Sequence, residues 1–184
     1  SDTYEMLEGH IEKVTSLAML PDGRLVSGSD DNTVKVWDLD AGTHVTLSGH
    51  TSGVNSVVVF PDGRIVSGSD DSTVKVWDTT AGTHITLTDH KSGVNSVAVF
   101  PDGRLVSKSD DSTVKVWRNT AGTYETLYGH YASVNSVMIL PDGRLVFGSD
   151  DNTVTVWDVE TGEAQTLEGH IEKVTSLAML PDGR

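Results

Sequence analysis

The sequence predicts an all-β fold built from small antiparallel sheets in tandem, and three observations carry that expectation. First, three residue types are locked to one 40-residue period: His10, His50, His90, His130 and His170; Pro21, Pro61, Pro101, Pro141 and Pro181; Trp37, Trp77, Trp117 and Trp157. A fixed period of that length is the signature of a repeat architecture. Second, the period is filled by short runs rich in Val, Thr and Ser, which suit a pleated sheet. Third, turn residues, 18 glycines among them, punctuate these runs, and no window places apolar residues at helical spacing.

Within one unit, residues 14–20 form an apolar, β-branched run of strand length. Pro21-Asp22-Gly23-Arg24 follows: proline presets φ for the first turn position and glycine supplies a positive φ, so the chain reverses tightly. Residues 24–29 read as a second strand and Asp30-Asp31-Asn32 as a second turn. A third strand spans 33–38, where Val34 and Val36 alternate with Lys35. Ala41-Gly42 breaks the chain, and 43–48 is a fourth strand leading into Gly49-His50. One array over 1–184 therefore holds units at 14–48, 54–88, 94–128 and 134–168. A lone outer strand is expected at 3–8 and a lone inner strand at 174–180, the latter duplicating 14–20. A four-stranded sheet cannot bury both faces alone, so the core must come from stacking successive sheets.

At 184 residues and 36% hydrophobic content the chain is large enough for such a core. It has no cysteine, so disulfides and thiolate sites are excluded. No signal-peptide pattern occurs, and apolar runs such as 137–140 are too short to span a bilayer. A soluble protein without a membrane role is expected, cytoplasmic by default. The net charge of -14 argues against nucleic acid as a partner, because phosphate backbones demand clustered Lys and Arg. Much of the acid sits at repeated turn positions, from Asp22 to Asp182 and from Asp30-Asp31 to Asp150-Asp151, where turn chemistry accounts for it.

The Gly-His to Trp-Asp unit, with Pro-Asp-Gly-Arg and Ser-Asp-Asp-x-Thr-Val-x-Val-Trp between, resembles the WD40 repeat of β-propellers, and it covers nearly the whole chain. The resemblance implies a β-propeller of WD40-type four-stranded antiparallel blades, four complete blades per chain. It also implies a buried network in each blade: His10, Ser27, Asp31 and Trp37; His50, Ser67, Asp71 and Trp77; His90, Ser107, Asp111 and Trp117. In the fourth, Phe147 stands in place of the serine beside His130, Asp151 and Trp157. Phenylalanine neither donates nor accepts, so that network is expected to be incomplete and its blade the least rigid.

Ser, His and Asp together also invite a catalytic-triad reading. Against it, the set recurs in every unit and always with Trp, whereas an enzyme builds one asymmetric site, so no catalytic residue is assigned. Histidines 40 residues apart lie in different blades and do not converge on a metal; neither metal nor cofactor is expected. His44 and His84, on the outer strand, read as exposed. The loop after the repeated His varies most, from Ile11-Glu12-Lys13 to Tyr131-Ala132-Ser133. In propellers of this family that loop and the residue before the turn Asp share one face. Glu12, Lys13, Asp30, Asp70, Lys91, Asp110, Tyr131 and Asp150 are therefore the candidate partner-binding face, with Tyr131 as its aromatic anchor. Three departures cluster in the third repeat, Asp89, Lys108 and Arg118, and read either as drift or as a partner-facing patch.

Residues 7–24 are identical to 167–184 at every one of 18 positions, four periods apart, while neighbouring repeats differ. Four blades are at the low end of the roughly four to eight seen in propellers, and the family closes its ring by joining strands from the two ends. Two chains would supply eight blades, with the duplicated ends competing for one place. The expected function is a non-enzymatic scaffold for proteins or peptides that self-associates, as a homodimer, into one eight-bladed ring. The alternatives are an engineered or fragment propeller, reflecting repeat amplification and assembly with no evolved ligand, and a sugar- or small-ligand-binding propeller. The last needs an aromatic and polar pocket in each blade, and of the aromatics only Tyr131 stands where several would be required.

Overall fold

A computed structural model describes residues 6–118, 122–127 and 132–178. All regular structure among them is strand. The first blade holds β1 (Val14–Met19), β2 (Leu25–Ser29), β3 (Thr33–Asp38) and β4 (Thr43–Ser48). The second holds β5 (Val54–Val59), β6 (Ile65–Ser69), β7 (Thr73–Asp78) and β8 (Thr83–Thr88). The third comprises β9 (Val94–Val99), β10 (Leu105–Ser109), β11 (Val114–Trp117) and β12 (Tyr124–Leu127), and the fourth β13 (Val134–Ile139), β14 (Leu145–Ser149), β15 (Val154–Trp157) and β16 (Ala164–Leu167). Each set is one antiparallel sheet in sequence order, so the chain is an all-β array of four blades. Gly23, Gly63, Gly103 and Gly143 all take φ near +90°, as the Pro-Asp-Gly-Arg turn requires.

Strand alternation gives each blade two chemically different faces. Ala18, Val26, Val34, Val36 and Leu47 line one, and Leu17, Leu25, Ser27, Lys35 and Trp37 the other. The valine face of blade 1 packs on the Trp77 face of blade 2, bringing Val26, Val34 and Val36 together with Val54, Val57, Ile65 and Trp77 in one core. Blade 2 meets blade 3 in the same way through Val66, Val74, Val76, Val94, Val97, Leu105 and Trp117.

Close approach at these seams depends on glycine. A Cβ on Gly28 would stand 2.8 Å from a Val54 methyl and 3.1 Å from one of Val57; on Gly68 it would stand 2.7 Å from Val94 and 3.1 Å from Val97. Val54 and Val94 are thereby wholly buried, each contributing roughly 1.5–3 kcal/mol over an exposed valine. Polar clips reinforce each seam. The Thr15 hydroxyl donates to the Val54 carbonyl, and the Val57 N–H donates to Ser16 Oγ at 3.0 Å. In the next seam Asn55 Nδ2 donates to the Val94 carbonyl at 3.2 Å and the Val97 N–H to Ser56 Oγ at 3.2 Å.

The third seam is different because Lys108 takes the glycine position. It is only 3% exposed, so it lies between blades and forms no partner-facing patch. Burial pulls the ammonium's pKa down, opposed by the carboxylates of Asp110 and Asp150. Among the described residues neither Asn95 nor Ser96 reaches the first strand of blade 4, so both clips of the earlier seams are absent. Val106, Val114 and Val116 still pack on Val134, Leu145 and Phe147 in one apolar cluster.

The ring is not closed within the single chain. Leu17, on the forward face of β1, is 61% exposed, whereas its counterparts Val57 and Val97 are each 6% exposed. Two expectations from the sequence need correction. Residues 174–178 of the anticipated inner strand carry no strand, and 179–180 lie outside the described residues. A first strand pairs with the second strand of its own blade, and the described residues hold none for this segment. Of the anticipated outer strand at 3–8, residues 6–8 carry no strand and 3–5 lie outside the described residues.

Replacing Lys108 by glycine should restore the seam. We expect Lys108→Gly to stabilise the chain by about 1 kcal/mol, the release of a buried charge outweighing glycine's entropy cost in a strand. Hydrogen exchange at the Val137 amide should slow as it gains Ser96 Oγ as an acceptor. Unchanged exchange there would show that Lys108 does not hold the seam apart.

Candidate functional site

Beneath one rim of the array lies a hydrogen-bond network repeated in three blades. In blade 2, Trp77 Nε1 donates to Ser67 Oγ at 2.8 Å, and Ser67 Oγ lies 2.7 Å from His50 Nε2. Since Ser67 already accepts from the indole, its own proton goes to Nε2, which fixes the neutral tautomer with the hydrogen on Nδ1. That Nδ1–H donates to Asp71 Oδ2 at 2.8 Å. Blade 1 repeats the chain through Trp37, Ser27, His10 and Asp31, and blade 3 through Trp117, Ser107, His90 and Asp111, with all distances between 2.7 and 2.8 Å.

The aspartate joins this interior to the rim. Asp71 Oδ2 also accepts the Thr51 N–H at 3.0 Å, and Oδ1 accepts the Thr73 hydroxyl at 2.6 Å and its N–H at 3.0 Å. Burial pushes the carboxyl upward, but hydrogen bonds from Thr73, Thr51 and His50 outweigh it and bring Asp71 down to about 2. Asp111 falls to about 2 by the same balance with Thr113, Lys91 and His90. Burial lowers His50 and His90 below the usual 6.5, against the pull of their aspartates. Each imidazole is therefore neutral and each carboxyl ionised at pH 7. Ser67 and Ser107 are wholly buried with both hydrogen-bonding roles committed, which makes these sets struts rather than nucleophilic centres.

Blade 4 departs from this pattern. Phe147 is buried in the third seam, and Trp157 Nε1 is buried without a partner. His130 lies outside the described residues. Asp151 keeps its turn role, accepting the Thr153 N–H at 3.0 Å and hydroxyl at 2.6 Å. An orphaned indole N–H costs roughly 1–3 kcal/mol, which the burial of a phenylalanine side chain at about 1.5–3 kcal/mol offsets.

A second layer of side chains was not legible as a set in the sequence. Lys35 lies against the same face as Trp37, its Nζ 3.1 Å from His44 Nε2 and 2.7 Å from Thr46 Oγ1. His44 is exposed, yet its ring covers Trp37 at 4.6 Å, and His84 covers Trp77 at the same distance. In blade 3 Tyr124 takes the histidine's place over Trp117 at 4.8 Å. A Cβ on Gly9 would stand 2.7 Å from His44, so the histidine demands glycine there. With tyrosine present Asp89 is accommodated, and its Oδ2 accepts from Lys115 Nζ at 3.0 Å and from the Tyr124 hydroxyl. Asp89 and Tyr124 are thus a paired exchange. Arg118 pairs with Glu125 at 2.9 Å. The signal available in the sequence was the co-occurrence of Gly with His and of Asp with Tyr, 35 residues apart.

At the rim itself, the N–H groups of Asp30, Asp70, Asp110 and Asp150 donate to the carbonyls of Lys13, Gly53, Gly93 and Ser133 at 2.9–3.0 Å. These bonds bring the loop after the repeated His beside the residue before the turn aspartate. Asn55 and Asn135 Nδ2 donate to Asp70 and Asp150 at 2.6 Å, and Asn95 donates to Asp110. A Cβ on Gly53 would lie 3.3 Å from Asp30 Oδ1 and 3.8 Å from Asp70 Oδ2, so neighbouring rim carboxylates converge on that loop. Glu12, Lys13, Lys91 and all four aspartates are exposed. Tyr131 lies outside the described residues. Among the described residues no group of three or more His, Cys, Asp and Glu side chains could hold a metal ion, and no helix is long and apolar enough to cross a membrane.

The family model "WD domain, G-beta repeat" matches four times, over residues 2–38, 43–78, 83–118 and 122–158. The chain belongs to the WD-repeat family. The second, third and fourth matches each run from the outer strand of one blade through the first three strands of the next, so each straddles two blades. Forty residues are 52% identical to vegetative incompatibility protein HET-E-1 of Podospora anserina, and to Gem-associated protein 5 of Homo sapiens over the same length. Each match spans 21% of this chain and 3% of the relative. WD repeats are protein-interaction scaffolds and generally non-catalytic.

Ser67→Ala removes the partner of both Trp77 and His50 and should lower unfolding free energy by roughly 2–3 kcal/mol in urea titrations, since two buried groups lose their bonds. Acid should act in two stages. The folded pKa of His50 and His90 lies below 6.5, so the unfolded chain binds more protons once pH falls below that value, and stability declines from there downward. Asp71 and Asp111 are depressed from 3.8 to about 2, adding a second loss across that interval. A urea midpoint that stayed level between pH 7 and pH 5 would contradict the buried neutral histidines.

Proposed function

We propose that this WD-repeat chain is a non-enzymatic protein-interaction scaffold whose acidic rim receives protein or peptide segments, and that two chains assemble head to tail into one closed eight-bladed propeller. The observation that carries the assembly is the exposed forward face of blade 1. Leu17 at 61% and Val14 at 46% exposure occupy positions that blades 2 and 3 bury, and Met19 is 56% exposed where its counterparts Val59 and Val99 are half-buried. Beside them lies a groove of about 640 Å³ lined by Leu7, His10, Ile11, Val14, Leu17 and Trp37. A second copy's fourth blade supplies an apolar back of the kind that covers this face elsewhere in the array.

The rim reading rests on exposure and charge. Asp30, Asp70, Asp110 and Asp150 are presented in series with Glu12, Lys13 and Lys91 beside them, and Tyr131 belongs to the same loop set. A partner rich in Lys or Arg complements carboxylates of this density. Binding of such a peptide should weaken as salt rises.

Light scattering across a concentration series tests the assembly. A chain of 19.7 kDa should give a particle of about twice that mass that resists further growth, because two heterologous contacts close a ring. A strictly monomeric particle would sink the eight-bladed reading and leave the scaffold reading standing. A ladder of masses would mean open polymerisation instead of closure.

A further inference from the structure

The back of blade 4 is already partly occupied, by residue Val174 of the same chain. A Cβ on Gly148 would stand 2.6 Å from the Val174 methyl, matching the 2.8 Å and 2.7 Å of Gly28 with Val54 and Gly68 with Val94. Asn135 Nδ2 donates to the Val174 carbonyl at 3.1 Å, as Asn55 does to Val94 at 3.2 Å. The Val174 N–H donates to the Ser149 carbonyl at 2.9 Å. Val174 is 6% exposed. It sits where the first residue of a following blade sits.

Beyond that one residue the resemblance to a blade contact stops. Ser16 and Ser56 each accept the N–H three residues beyond the seated valine, but among the described residues Ser136 accepts nothing from Leu177. Residues 175, 176 and 178 are exposed, and among the described residues no second strand supports the segment from behind. A true first strand buries two positions, as in Val54 and Val57 or Val94 and Val97. The segment is seated by the single valine Val174, with one further hydrogen bond upstream, from Asn152 Nδ2 to the Ile171 carbonyl at 3.3 Å.

Its sequence identity decides what it competes with. Residues 167–178 are part of the stretch identical to 7–24, so Val14 and Leu17 of a second copy carry the same side chains as Val174 and Leu177. They carry them on β1, a strand already paired to β2 in a formed blade. We propose that the Gly148–Asn135 seat is the docking surface for β1 of a second copy, and that the segment around Val174 is an internal cap that holds the seat until that copy displaces it. This rests on the two-chain ring proposed above. The incoming strand wins because it buries Leu17 as well as Val14 and brings a pre-ordered sheet, whereas the cap must order its own backbone for one buried residue. Association is therefore an exchange of like for like, with the cap setting its threshold.

The test compares the full-length chain with two point variants by sedimentation equilibrium. Val174→Asp expels the cap without touching any blade, and should tighten self-association about tenfold. Val14→Asp spoils the incoming strand and should weaken it at least tenfold, with the far-ultraviolet sheet signal confirming that the blades remain folded. If wild type and Val174→Asp form dimers with equal affinity while Val14→Asp does not, the cap is refuted and the two-chain ring stands. If none of the three forms a dimer, the ring itself is refuted, and the cap with it. Dimers that Val14→Asp leaves intact would place the interface elsewhere and overturn both.

Discussion

The architecture depends on one close approach, a glycine on the back of one blade against a valine on the front of the next. Gly28 under Val54 and Gly68 under Val94 leave less than 3 Å between an imagined Cβ and a methyl group. No side chain larger than hydrogen fits without moving the neighbour. Because cores are close-packed and lose contact energy steeply with separation, the seam either closes fully or opens by a whole side chain. Blade spacing, the burial of tryptophan on the front face and the reach of the Thr15, Ser16, Asn55 and Ser56 clips all follow from that contact.

Lys108 shows what happens when the condition is relaxed. A four-carbon stem and an ammonium occupy the place of the glycine, the polar clips lose their reach, and Phe147 in the opposing blade adds bulk at the same seam. The same substitution that fills the seam also removes the Ser that Trp157 would need, leaving its N–H without a partner. Departures from the repeat are thus not scattered. Lys108 and Phe147 concentrate at the junction of blades 3 and 4, and Asp89 and Tyr124 compensate one another around Lys115 in blade 3. The exchange of Asp89 with Tyr124 keeps its polar atoms partnered, whereas Lys108 buries a charge and Phe147 leaves Trp157 Nε1 without a partner.

Most of the fold was legible because periodicity and turn chemistry are local. Pro-Asp-Gly-Arg fixes a reversal wherever it occurs, and a run such as Thr-Val-Lys-Val-Trp alternates between faces whatever lies around it. The Ser, His, Asp and Trp positions were readable through the unit's resemblance to the WD40 repeat. Lys35, His44 and Thr46 were not recognised as a set, since a cross-strand trio is assembled by register and not by spacing. Lys108 was left between drift and a partner-facing patch for the same reason: a lysine in a strand points to solvent or to a neighbour according to which blade lies behind it.

By itself, then, the sequence determined the all-β class, the four-blade count and the turn positions, because these follow from backbone preferences repeated every 40 residues, while the members of each network came from its resemblance to the WD40 repeat. Only the tertiary structure decided which seams close, that Lys108 is buried, that Asp89 belongs with Tyr124, and that Val174 fills a blade's seat without forming a strand. Those outcomes turn on contacts between residues far apart in the chain, where a single methyl or hydrogen bond decides the result. Of the identical stretches 7–24 and 167–184, the first forms a paired strand at 14–19 beside β2, whereas Val174 of the second is an anchor held by Gly148, Asn135 and Ser149, with no second strand beside it among the described residues.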